Sequence, residues 1–157
     1  LLIGMGDIGR TIADALEEFD IGYDAVERNG ARLRSAVADG YNAFFGDAAD
    51  TRLWRVFDLE GRKYSVMTAA SVQAAQDWIP TARVMFPKLH RLWVARTDDE
   101  AAQLNELGLE AVVADDEVPG IEAAEILLAA FGIAPERISS WSMQQRARIG
   151  SPLASAA

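Results

Sequence analysis

Apolar and polar positions along this chain follow two periods that take turns from end to end. Short β-rich runs at Tyr23 to Glu27, Asn42 to Phe45, Tyr64 to Thr68, Arg91 to Arg96 and Ala111 to Val113 each follow a stretch with helical spacing. The first helix is predicted from about Ile8 to Phe19, with Ile8, Ile12, Ala15, Leu16 and Phe19 on one face and Asp14, Glu17 and Glu18 towards water. Further helices are predicted near Gly30 to Ala38, Thr51 to Phe57, Ser71 to Met85, Asp98 to Leu107 and Val118 to Phe131. Crossovers of helical length between strands specify an α/β fold: a doubly wound, mainly parallel sheet covered on both faces. Pro80 is expected to kink or break the fourth helix near Ile79. From Ile121 to Phe131 the last helix is relieved only by Glu122 and Glu125, so most of its surface must be buried. At the edge of a small domain, a second subunit is expected to supply part of that burial. Beyond Gly132 the pattern weakens, and Ser151 to Ala157 is expected to fray. One domain is therefore expected over residues 1–133, with residues 134–157 as a C-terminal extension or tail.

The candidate chemistry lies at the start. Leu1-Leu2-Ile3-Gly4-Met5-Gly6-Asp7-Ile8-Gly9 places a GxGxxG fingerprint between an apolar strand and a helical pattern, the context that a dinucleotide site requires. Gly4 permits the tight turn, Gly6 lets a phosphate approach the backbone, and Gly9 allows helix to pack on strand, while the helix N-terminus offers free amides to the anion. This fixes the expected sheet as Rossmann-like, of order 3-2-1-4-5-6. Asp7 would repel a pyrophosphate if it pointed inward, and is expected to point outward and cap the helix. Glu27 closes the next strand, where a carboxylate can accept both ribose hydroxyls and disfavour a 2′-phosphate; Arg28 beside it can accommodate that phosphate. An ordinary solvated strand end is the competing reading of Glu27. Asp47 and Ala48 follow the third strand at its carboxyl end, facing the adenine or ribose or simply turning the chain. Thr68 and Ala69 end the fourth strand with small residues past which a nucleotide could reach the backbone.

Composition narrows the reading. With 157 residues, half of them hydrophobic, the chain can bury one good core, and little remains for a separate substrate domain. Only three residues precede the glycines, fewer than the five or six usual for a strand, and the chain opens without methionine, so it reads as cut from something longer. A formal charge of −9 gives no support to nucleic-acid binding. The absence of cysteine excludes disulfides and thiolate chemistry. No run approaches the roughly 18 to 20 apolar residues of a membrane span. The search for a catalytic base is negative: the sole histidine, His90, lies just before the fifth strand, opposite the expected crevice, and Tyr64 is followed four residues on by Thr68 where a Tyr-x-x-x-Lys pair would need lysine. Acidic clusters at Asp98-Asp99-Glu100 and Asp115-Asp116-Glu117 are expected to be solvated helix starts rather than metal sites.

Gly4-x-Gly6-x-x-Gly9, Glu27, Gly46-Asp47-Ala48 and Arg96-Thr97-Asp98 together resemble the TrkA-N, or RCK, regulatory domain of prokaryotic potassium transport proteins, over residues 1 to about 133. The runs Gly40-Tyr41 through Ala48 and Leu92 through Arg96 look most like the cytosolic domains of KefB- and KefC-type cation:proton antiporters. The resemblance implies a sensor that binds NAD(H) or AMP, dimerises, performs no chemistry, and gates a membrane transport module in the same or a partner chain, at the cytoplasmic face of the inner membrane. It implies that Gly4, Met5, Gly6, Asp7, Ile8 and Gly9 hold phosphates, that Glu27 and Arg28 hold the ribose, and that Asp47 and Ala48 lie on the adenosine side. Arg96 matches a family arginine. Glutathione control is not expected, because the first helix presents Asp14, Glu17 and Glu18 where basic residues would be needed. Two other readings stay open: the cofactor half of an NAD-dependent oxidoreductase, and a Rossmann-shaped interaction module without a ligand.

Overall fold

The computed structural model describes residues 1–68, 71–115 and 118–149. Six strands, β1 (Leu2–Ile3), β2 (Ala25–Glu27), β3 (Ala43–Phe45), β4 (Tyr64–Met67), β5 (His90–Ala95) and β6 (Glu110–Val113), form one sheet. All pairings are parallel and the order is β3-β2-β1-β4-β5-β6, as the alternation predicts. Leu2 lies opposite both Ala25 and Val66, so β1 sits at the centre of the sheet and delivers the chain to its carboxyl edge.

Successive strand residues face opposite layers. Leu92 and Val94 join one core and Trp93 and Ala95 the other, while Val66 and Met67 of β4 divide in the same way. One layer is built from α1 (Asp7–Glu18), α2 (Gly30–Ala38) and α6 (Ile121–Ala130), which bury Ile12, Leu16, Ala36, Leu127 and Leu128 against Leu2 and Val66. The opposite layer carries α4 (Val72–Met85) and α5 (Asp98–Glu106), which bring Ile79 and Leu104 onto Trp93. Beside it, α3 (Thr51–Val56) covers β2 through Trp54, packed edge-on against Phe86 at 6.0 Å. Full burial of each large apolar side chain contributes about 1.5–3 kcal/mol.

Four local expectations are corrected. Asp7 does point to solvent, but it opens α1 as its first residue; the cap is Gly6, with no side-chain hydrogen bond, so Asp7 favours the helix through its dipole and does not cap it. Pro80 does not break α4, which runs unbroken from Val72 to Met85. The last predicted helix begins at Ile121 instead of Val118, after Gly120 in a left-handed conformation, which leaves Asp115 further ahead of the helix than expected; Asp116 and Glu117 lie outside the described residues. Finally, the apolar surface of α6 is covered within the same chain, by α1, β6 and a further helix, α7 (Pro135–Ile149). This helix lies where the pattern weakens.

Helix α7 is part of the core. Trp141 is 2% exposed and Ile138 is buried beside it in the layer that holds α1 and α6. Its last turn is tied back by Arg146, whose guanidinium donates to Asp115 at 2.5 Å and to Glu122 at 3.4 Å. Burial, reinforced by the adjacent Asp115, pushes the Glu122 carboxyl above the usual range, and Arg146 is the cation that opposes the shift.

Two stability changes are expected. Gly9→Ala would place a Cβ 2.0 Å from the Gly4 carbonyl oxygen, backbone that cannot give way cheaply, and should lower stability by about 3 kcal/mol. Trp141→Ala should cost about 3–5 kcal/mol if α7 belongs to the cooperative unit. Urea unfolding at constant slope measures both, and an unchanged midpoint for Trp141→Ala would make α7 an independent appendage.

Candidate nucleotide-binding site

The glycine turn joins β1 to α1 at the carboxyl edge of the sheet, where ligands lie in open parallel folds. Gly4 has φ +102°, which L side chains rarely adopt. Gly9 is packed against the Gly4 carbonyl, whereas nothing lies within 4 Å of a Cβ built on Gly6. The three glycines thus do three different jobs: turn, open approach and close helix packing. The amides from Asp7 to Gly9 in the first turn of α1 have no intrahelical acceptors and face this opening.

Two side chains hold the turn in place. Just past the end of β4, the Thr68 hydroxyl reaches the Ile3 carbonyl at 2.9 Å and the Gly4 carbonyl at 3.1 Å. From β2, Glu27 accepts the Met5 amide at 2.8 Å through Oε2 and the Asn29 amide at 2.7 Å through Oε1. Glu27 is only 4% exposed, which removes the reading of a solvated strand end. Its carboxylate braces the glycine turn against the start of α2, where Asn29 caps the helix through the Ala31 and Arg32 amides.

Over this framework lies a crevice of about 600 Å³ lined by Glu27, Arg28, Asp47, Ala48 and Arg96. On the other side of the turn, an open hollow of about 730 Å³ is lined by Gly6, Asp7, Ile8, Thr68, Arg96 and Asp115. The structure therefore gathers the expected residues around one turn, except Met5, whose side chain is buried in the core, and Ala69, which lies outside the described residues. The Asp47 carboxylate accepts the Ala49 amide at 3.0 Å, and the Ala48 carbonyl accepts the Trp54 indole N–H at 2.9 Å; together these fix the far wall. Sequence reasoning missed two wall residues. Arg32, one helical turn beyond Arg28, lines both the crevice and the hollow, and Trp78 of α4 closes the crevice on the sheet side. A cation one turn into a helix that starts beside the glycine turn is the signal that could have found Arg32.

Charge is distributed unevenly. The chain carries −9 overall, yet three arginines line this crevice. The guanidinium groups of Arg28 and Arg32 make no hydrogen bond or ion pair among the described residues. Arg96 pairs with Glu100 at 2.9 Å while 79% of its side chain stays exposed. Free amides and unpaired cations around an open turn suit a phosphate. By contrast, His90 opens β5 at the amino end of the sheet, stacked on Tyr64 at 5.0 Å, away from the crevice.

The model of the TrkA-N domain matches residues 1–115. The chain belongs to the TrkA-N domain family. Among curated proteins, it is 28% identical over 113 residues to the putative cation/proton antiporter YbaL of Escherichia coli, covering 72% of this chain and 20% of that protein. It is 21% identical over 146 residues to the putative K(+) efflux antiporter KefB of Alkalimonas amylolytica, covering 93% of this chain and 22% of that protein. The chain thus spans about one-fifth of the length of these relatives. Among solved structures, the TrkA-N domain of the E. coli inner membrane protein YbaL superposes with TM-score 0.62 at 26% identity, covering 82% of this chain and 93% of that one. The Kef CTD of Shewanella denitrificans, solved in an AMP bound form, has the same fold, with TM-score 0.62 at 16% identity and coverage of 94% and 92%. Among the described residues of this TrkA-N domain, no helix is long and apolar enough to cross a membrane.

The Arg96–Glu100 pair can be tested directly. The hydrogen bonds from the Arg96 side chain and amide hold the Glu100 carboxyl below its ordinary value of 4.5. A carboxyl depressed in the folded state contributes stability above its unfolded pKa and loses it as pH falls through the folded value. Arg96→Ala should return the Glu100 titration, followed by side-chain NMR, towards 4.5; an unmoved titration would mean that the pair does not form in solution.

Proposed function

We propose that this TrkA-N domain is a nucleotide-sensing regulatory module of a cation transport system. It binds an adenine nucleotide, AMP or NAD(H), as an effector and thereby biases a membrane module in the same or a partner chain, at the cytoplasmic face of the inner membrane. The observation that carries the reading is the open backbone at Gly6. A phosphate can reach the first-turn amides of α1 there, between the adenosine-sized crevice and the hollow beyond the turn. The AMP bound form of the Kef CTD and the antiporter relatives support it.

Regulation requires that nucleotide bind two arrangements of the protein with different affinity. A homodimer provides such arrangements, and Phe45 and Val56, apolar and largely exposed, offer surface for a second copy. The nucleotide is an effector and not a substrate: the crevice holds no histidine, and its buried carboxylate is engaged with backbone amides.

Calorimetry with 5′-AMP, NAD and NADH on the purified domain, with its solution mass followed in parallel, tests this reading. Gly6→Asp adds a carboxylate to the open side of the turn without a clash in the protein, so the fold should persist while affinity falls by at least about tenfold. Unchanged affinity in Gly6→Asp, or no binding by the unaltered domain, would overturn the assignment.

A further inference from the structure

At the ribose end of the crevice, the structure adds to Arg28 a second arginine and an engaged carboxylate that the sequence alone does not show. A carboxylate at the end of β2 is expected to select an unmodified ribose by accepting its hydroxyls. Here Glu27 is buried, and each of its oxygens already accepts a backbone amide, from Met5 and from Asn29. What the same wall presents to solvent is Arg28, between β2 and the cap of α2, and Arg32, in the first turn of α2, neither bound to a carboxylate among the described residues. Asp47, across the crevice, is engaged at Oδ1 with Ala49. The strand-end carboxylate thus serves the backbone, and the cations face the ligand space.

We infer that the ligand preferred by this site is a 2′-phosphorylated adenine nucleotide, of the NADP(H) class, with the 2′-phosphate held between Arg28 and Arg32. The inference rests on the adenylate site proposed above and changes the ligand class within it. A 2′-phosphate brings close to two negative charges and several acceptor oxygens to a place where two planar guanidinium donors have none. An unphosphorylated ribose leaves both arginines in water and can use only the Glu27 lone pairs that no backbone amide occupies.

Calorimetric competition among 5′-AMP, adenosine 2′,5′-bisphosphate and adenosine 3′,5′-bisphosphate tests the inference. The 2′,5′-bisphosphate should bind at least about tenfold more tightly than 5′-AMP, the scale of one good charge-assisted contact, and more tightly than the 3′,5′-isomer of equal charge. In the double variant Arg28→Ala/Arg32→Ala, with folding checked by circular dichroism, the ratio of 2′,5′-bisphosphate to 5′-AMP affinity should fall to about twofold or less. If 5′-AMP binds as tightly as the 2′,5′-bisphosphate, or the isomers bind alike, or the double variant keeps the preference, the inference is overturned while the adenylate site stands. If none of the three ligands binds, the adenylate site itself is overturned.

Discussion

The buried carboxylate of Glu27 is the constraint on which the rest of the site depends. By accepting the amides of Met5 and Asn29, it ties the glycine turn after β1 to the start of α2, two segments with no covalent reason to stay together. Thr68 does the same from the other side of β1. The turn is therefore held from both neighbouring strands, and its amides are aimed before any ligand arrives. A carboxylate accepting two backbone amides in a low-dielectric place is a strong, charge-assisted arrangement. It also fixes the orientation of a side chain that lines the crevice beside Arg28 and Arg32.

Charge differs between the chain and its crevice. The chain as a whole is acidic, at −9, whereas the crevice sets three arginines against three carboxylates, Glu27, Asp47 and Glu100, and is locally balanced.

Much of the fold was legible because parallel sheets with helices on both faces leave two clear periods in the sequence. The helix from Gly30 to Ala38 matches its prediction end to end, and the separate roles of Gly4, Gly6 and Gly9 appear in the backbone as spacing suggests. What was illegible depends on tertiary contacts. Helix α7 has a sparse apolar stripe, chiefly Ile138 and Trp141, so its periodicity is weak; Pro135 at its first position, Glu136 in its first turn and Arg146 and Arg148 in its last were the available signals. The apolar character of α6 correctly demanded a covering surface, but nothing local to α6 says that the cover comes from the same chain. At the site, strand-end position pointed to Glu27 and could not show that its oxygens would turn back to the main chain. Trp78 and Arg32 reach the crevice only because of how α4 and α2 are seated.

The central place of β1 has a kinetic consequence. Leu2 and Ile3 pair only with strands distant in sequence, β2 on one side and β4 on the other, and no local hairpin can form the glycine turn ahead of them. Closing such loops costs entropy before any pairing rewards it. The glycine turn is therefore completed by long-range condensation of the sheet and belongs to the late stages of assembly.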